Sequence, residues 1–258
     1  MKSLASILEH IAKIQHAINE KYPFDENRLM QLQKYYKAEM TWASNALEGN
    51  TLTLEKTKMI LEDGITVRGH TSHEIYECTG HAEAYDYMFD HIRRKEITEE
   101  YIKKLHYLFA KSITDIPSPG EYRDVSKTFV GITGSEYPCP DYEKVPEKMA
   151  EFADWASSVR NELHPVEFAA EAHRTFIYIH PFPDGNGRIA RLLMNTILLQ
   201  EQYMPVLIHP IQRNEYIHTL ENGRIYPNGF DIFIAKRELE QQKRFNQTCV
   251  QDNRYCHG

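Results

Sequence analysis

The chain has 258 residues, enough for a sizeable core, since roughly 75% of the unfolded surface is lost on folding at about this size. Its 30 basic and 37 acidic residues leave a formal net charge of -7, which argues against a nucleic-acid backbone as the main partner. Four scattered cysteines without Cys-x-x-Cys spacing, no run of ~18 apolar residues and no secretory leader in Met1 to Ile18 give the expectation of a soluble, cytoplasmic protein with free thiols and no membrane partner.

From Leu4 to Ile18, apolar residues recur at three- and four-residue steps and predict an amphipathic helix. After the break at Tyr22-Pro23, a second helix is expected from about Glu26 to Leu47, capped by Gly49. Its end holds Ser44 and Glu48 on one face. A carboxylate near a helix C-terminus is disfavoured by the dipole, so Glu48 would welcome an arginine. Further helices are predicted from Thr53 or Leu54 to Leu61, from His73 to His91, and onward from an N-cap at Thr98. No histidine there has metal-ligand spacing.

Pro117 and Pro119-Gly120 interrupt the helices. Tyr122 to Pro140, with Val125, Phe129, Val130 and Ile132 around Gly131, Gly134 and Ser135, reads as two short strands forming a hairpin. A lone hairpin is marginal in water, so it must lie on the helices or act as a flap whose edge pairs with a peptide. A helix restarts at Val145-Pro146. Ala169 to Ile179 and the stretch from Leu192 to Leu199 form two helices joined by a tight loop. Beyond them, Met204-Pro205 is a break, Arg213 to Leu220 a helix, Pro227-Asn228-Gly229 a turn, Phe230 to Phe245 a last helix, and the residues after Asn246 a frayed tail. There is no internal repeat and no clear linker.

The loop, His180-Pro181-Phe182-Pro183-Asp184-Gly185-Asn186-Gly187-Arg188-Ile189-Ala190-Arg191, concentrates chemistry. The N–H groups of Gly185, Asn186 and Gly187, at the start of a helix, suit phosphate oxygens. Arg188 and Arg191, three residues apart, can present guanidinium donors to a triphosphate. Asp184 supplies one carboxylate, which suits magnesium. His180 can take a proton from a hydroxyl attacking phosphorus. Together these fill the roles of phosphoryl-group transfer.

The twelve residues resemble the signature of the Fic family, His-Pro-Phe-x-Asp/Glu-Gly-Asn-Gly-Arg-x-x-Arg, at every fixed position. The similarity extends to Tyr122-Arg123 and Val130 to Pro140, which are similar to the family's flap, and covers roughly Leu54 to Leu220. The resemblance implies a mainly α fold, a helical bundle with a short β-hairpin flap, and transfer of AMP from ATP to a Ser, Thr or Tyr hydroxyl of a protein. It implies His180 as base, Asp184 on magnesium, Gly185, Asn186, Gly187, Arg188 and Arg191 around the phosphates, and Phe182 as a core anchor. Val130, Gly131, Ile132 and Thr133 would dock the target, and Arg213 and Tyr216 would help shape the nucleotide pocket. Ser44 to Gly49 is similar to the family's inhibitory signature, Ser/Thr-x-x-x-Glu-Gly/Asn, so Glu48 is expected to pair with Arg191.

The domain expectation is N-terminal helices over 1–53 with the inhibitory helix at about 26–49, a catalytic core over 54–220 with the flap at 122–140, and a C-terminal helix and tail over 221–258. The expected partners are ATP and an unidentified protein target, with a homodimer as one regulatory arrangement. Two alternatives stay open: removal of AMP, or transfer of another phosphate-containing group, on the same site, and a nucleotide-sensing protein without catalysis.

Overall fold

The computed structural model describes residues 3–130, 134 and 136–251. Among them are ten α-helices: α1 (Leu4–Lys21), α2 (Glu26–Ala46), α3 (Leu54–Glu62), α4 (Ser72–His91), α5 (Glu99–Ala110), α6 (Val145–Val159), α7 (Pro165–Ile179), α8 (Asn186–Gln200), α9 (Arg213–Asn222) and α10 (Pro227–Gln251). Two three-residue strands, β1 (Thr128–Val130) and β2 (Glu136–Pro138), form an antiparallel hairpin whose backbone register pairs Phe129 with Tyr137.

The helix starts follow local chemistry. Asp25, Thr53, Thr71 and Thr98 each accept a hydrogen bond from the third residue beyond, and Thr71 forms a reciprocal capping box with Glu74. The end of α2 is closed by a turn in which Asn50 N–H reaches the Asn45 carbonyl at 3.1 Å and Gly49 takes φ 99°. Only a glycine adopts that angle readily, so the expected stop at Gly49 is found.

α8 is the axis of the molecule. Apart from Gly187 it is buried along its whole length, with α7, α4, α5 and α2 packed around it. α10 closes the other side against α1, α7 and α9. A smaller cluster of Leu52, Ile60, Val67 and Cys78 seats α3 on α4. The first turn of α8 therefore points to where the α2 end, the α7 end and the hairpin base converge.

Three expectations shift. Pro227-Asn228-Gly229 is the first turn of α10, because proline at a helix start gives up an N–H that has no intrahelical acceptor anyway. α10 continues past Asn246 to Gln251. Val125 is exposed outside β1, which begins at Thr128.

Candidate active site

His180 caps the end of α7: its backbone turns left-handed at φ 52° and ψ 58° while its N–H still bonds the Phe176 carbonyl at 3.0 Å. This reversal brings the chain into the loop. Phe182, fully buried, stacks on His106 of α5 with ring centroids 3.8 Å apart. The Asn186 amide closes the loop on Phe182, accepting its N–H at 2.9 Å and donating to its carbonyl at 2.8 Å. Gly185 sits at φ 78°, and a Cβ there would lie 2.6 Å from the Phe109 ring, so both conformation and space require glycine.

Two residues outside the loop hold it. Gly120 N–H donates to His106 Nδ1 at 2.9 Å, so the ring proton is on Nε2 and is donated to the Asp184 carbonyl at 3.1 Å. Arg123, 2% exposed, donates from Nε to the His180 carbonyl at 2.8 Å and from Nη2 to the Pro140 carbonyl, while its N–H bonds Pro181. It ties the hairpin base to the loop.

Asp184 is exposed, its Oδ1 taking the Gly185 N–H at 2.6 Å with Arg188 Nη2 at 3.6 Å. Arg188 is buried, lies over the Phe109 ring at 4.5 Å and pairs through Nη1 with Glu77 of α4. The arginine expected at the phosphates thus already has a carboxylate partner.

Arg191 is also buried, and the end of α2 surrounds it. Nη2 meets Glu48 Oε1 at 2.8 Å and the Ser44 carbonyl at 2.8 Å, Nε donates to Ser44 Oγ at 2.9 Å, and Nη1 donates to Tyr216 Oη at 3.3 Å. The Tyr216 hydroxyl in turn reaches His173 Nε2 at 2.9 Å. The Glu48 carboxylate lies so close to the first turn of α8 that a Cβ on Gly187 would fall 2.2 Å from Oε1. Glu48 thus sits over the nest at the start of α8. Arg213 donates to the Leu47 carbonyl at 2.8 Å and secures the same turn.

The electrostatics follow from this packing. Burial pushes the His180 imidazole down to about 4, opposed in part by the Ile177 carbonyl, so the ring is neutral at pH 7. Burial would raise Glu48, but Arg191 and then Arg188 more than offset it and hold the carboxyl below its ordinary range. His173 is held well below 6.5 by burial and by Arg191, so a neutral ring shares the hydrogen bond with the Tyr216 hydroxyl.

Residues 96–198 match the family model described as Fic/DOC family. The chain carries a Fic/DOC domain. The chain is 39% identical over 199 residues to the protein adenylyltransferase Fic of Nematostella vectensis, covering 75% of this chain and 45% of that protein. Like the fly relatives, that protein is matched over less than half its length. The fold superimposes on a Fic domain containing signaling protein from Bacteroides thetaiotaomicron with TM-score 0.82 at 26% identity, covering 92% of this chain and 94% of that one. Fic-1 from C. elegans gives TM-score 0.85 at 25% identity, covering 96% and 73%. The Fic domain so defined contains the hairpin and the loop, whereas Ser44 and Glu48 precede it.

The structure brings His180, Asp184, Gly185, Asn186, Gly187, Arg188, Arg191, Tyr216, Ser44 and Glu48 to one place. Of the expected docking segment, Gly131, Ile132 and Thr133 lie outside the described residues, and Val130 is described only as strand backbone. Sequence reading missed Glu77, Asn50 and His106. His106 carried no signal beyond a histidine on the apolar face of α5, and the partners of Glu77 are far away in the chain.

Among the described residues no helix is long and apolar enough to cross a membrane.

Proposed function

We propose that this chain is a self-inhibited, magnesium-dependent protein adenylyltransferase, which moves AMP from ATP to a hydroxyl of an unidentified protein target. The observation that carries the reading is the pairing of Glu48 with Arg191 directly over the loop of the Fic domain. One guanidinium cannot give the same fork to a carboxylate and to a phosphate, so Glu48 withholds Arg191 from the triphosphate.

The residues fit the chemistry. The acceptor oxygen attacks the α-phosphorus, the bond from that phosphorus to the bridging oxygen of pyrophosphate breaks, and the hydroxyl proton passes to His180. Its Nδ1 is buried, so Nε2 takes the proton. The N–H groups of Asn186 and Gly187 would face the phosphates, joined by that of Gly185 once Asp184, which takes it here, turns to the metal, and Tyr216 orients Arg191. A single exposed carboxylate matches the way magnesium is bound, through one or two protein oxygens with water and phosphate filling the rest, and Asp184 would hold it. Bound there, the ion would neutralise phosphate charge. The target would add a strand at the hairpin around Val130 to Thr133.

Glu48→Gly should raise transfer of label from ATP to protein in the presence of magnesium. A charge-assisted pair to a buried arginine is worth ~1.5–3 kcal/mol, so the gain should be about 10- to 100-fold. His180→Ala in that background should abolish it. No gain in the first variant, or undiminished labelling in the second, would overturn the reading.

A further inference from the structure

Glu77 takes no part in the chemistry above, yet it joins two parts of the site. On α4 and 8% exposed, it meets Arg188 through Oε1 and accepts from Asn50 Nδ2 at 2.8 Å through Oε2. Its carbonyl accepts from Asn45 Nδ2 at 3.3 Å. Asn45 and Asn50 flank Glu48. Asn50 also donates to the Glu74 carbonyl at 3.0 Å and accepts the Leu52 N–H at 3.0 Å. The short turn that presents Glu48 is therefore hung on α4 at both ends, and one hook is the carboxylate that pairs with Arg188.

We propose that Glu77 is a positioning residue that couples this turn to Arg188, with Asn50 as the link. The proposal rests on the reading of Glu48 as inhibitor and extends it. Arg188 is 3% exposed and its Nε has no hydrogen-bond partner among the described residues, so Glu77 supplies its closest compensation. Asp184, 3.6 Å from Nη2, adds only a longer contact. If a triphosphate draws Arg188 away, Glu77 is left with the Asn50 amide on Oε2 at 2.8 Å and the partly exposed His73 ring at 3.5 Å from Oε1, a weaker support than a guanidinium, which is costly in a low-dielectric interior. The cost falls if the Asn50 turn lifts and water reaches the carboxylate. Conversely, while the turn is docked, Glu77 keeps Arg188 turned from the nucleotide. Both motif arginines are thus held by carboxylates from outside the loop, Glu48 on Arg191 and Glu77 on Arg188, and the segment Asn45 to Asn50 makes them act as one unit.

Asn50→Ala cuts the link and leaves Glu48, Glu77 and the loop intact. Amide exchange of Glu48 and Gly49, whose acceptors are backbone carbonyls the substitution leaves in place, should then quicken about tenfold, and AMP transfer should rise about tenfold over the parent. Combined with Glu48→Gly it should add nothing to the gain of Glu48→Gly alone, because both act through one release. Glu77→Gln should quicken exchange in the same turn and lower KM for ATP more than it changes kcat. If that variant does not fold, Asn50→Ala carries the test. A merely structural role would leave the turn protected and reduce transfer equally in both Glu48 backgrounds. Turn amides as protected in Asn50→Ala as in the parent, or a gain that multiplies with that of Glu48→Gly, overturns the coupling. If Glu48→Gly itself transfers nothing, the functional reading fails, and the exchange rates alone then decide the coupling: faster upholds it and unchanged sinks it.

Discussion

His180 is a non-glycine residue in the left-handed region, a conformation that costs ~1–3 kcal/mol and persists only where neighbours enforce it. Arg123 does so by binding its carbonyl. The same burial that fixes the ring lowers its pKa to about 4. A base works only when unprotonated, so activity should be present above that value and be lost as pH falls through it. In the Glu48→Gly background, kcat/KM at pH 5.5 should stay close to its value at pH 7.5, measured where the protein is shown to be folded. An acid limb centred near 6.5 would mean that the ring is solvated in the working state. At this scale the sequence was informative about the loop, where each role is written in adjacent residues. It was silent about partners such as Glu77 and Arg188, 111 positions apart, because no local period links them.

The helices were legible because apolar spacing and caps agree at α1, α2, α4 and α5. The ends of α10 and the start of β1 were not. Proline and glycine serve equally as a turn and as a helix start, and a short strand depends on its partner more than on its own residues. How closely elements approach is also hidden from local pattern. Gly80 of α4 lies so near α5 that a Cβ would fall 2.1 Å from the Phe109 carbonyl oxygen and 2.9 Å from its carbon. Both are backbone atoms, so the helices must part. Gly80→Ala should cost about 1–3 kcal/mol despite the better helix propensity of alanine. It should also disturb the loop, since α5 carries His106 and Phe109. Gly229→Ala meets nothing within 4 Å and should be neutral or stabilising by up to ~1 kcal/mol. Urea unfolding of the two variants checks the contrast, and equal effects would contradict the close approach.

Across the whole molecule, a helical core of this kind buries histidines where a charge on the ring is disfavoured by burial and, for His81 and His173, by the buried Arg191. Burial lowers His81 to about 3, His106 to about 4 and His180 to about 4, and takes His173 well below 6.5. Unfolded, each would titrate near 6.5. As pH falls below 6.5 the unfolded chain binds protons that the folded one refuses, so stability is full above that value and drains away toward about 4. Two buried carboxyls oppose this. Burial raises Asp231 to about 6 and Glu238 well above its ordinary value, so each takes up its proton in the folded state first and gains as pH falls. The histidines outnumber them and should win, at roughly 2 kcal/mol each by pH 5. The unfolding free energy should therefore drop by several kcal/mol between pH 7.5 and 5. His81→Gln should flatten that slope by about one proton, or ~1.4 kcal/mol per pH unit, because the hydrogen bond of His81 Nδ1 with the Thr41 hydroxyl at 3.2 Å is one that an amide can make in its place. Urea titrations at pH 7.5, 6.5, 5.5 and 5 read both quantities. Stability that stays level across this window in the parent, with a slope that His81→Gln leaves unchanged, would show that the buried rings accept protons without unfolding. The acid limb assigned to His180 would then have to be sought in the folded protein's own titration.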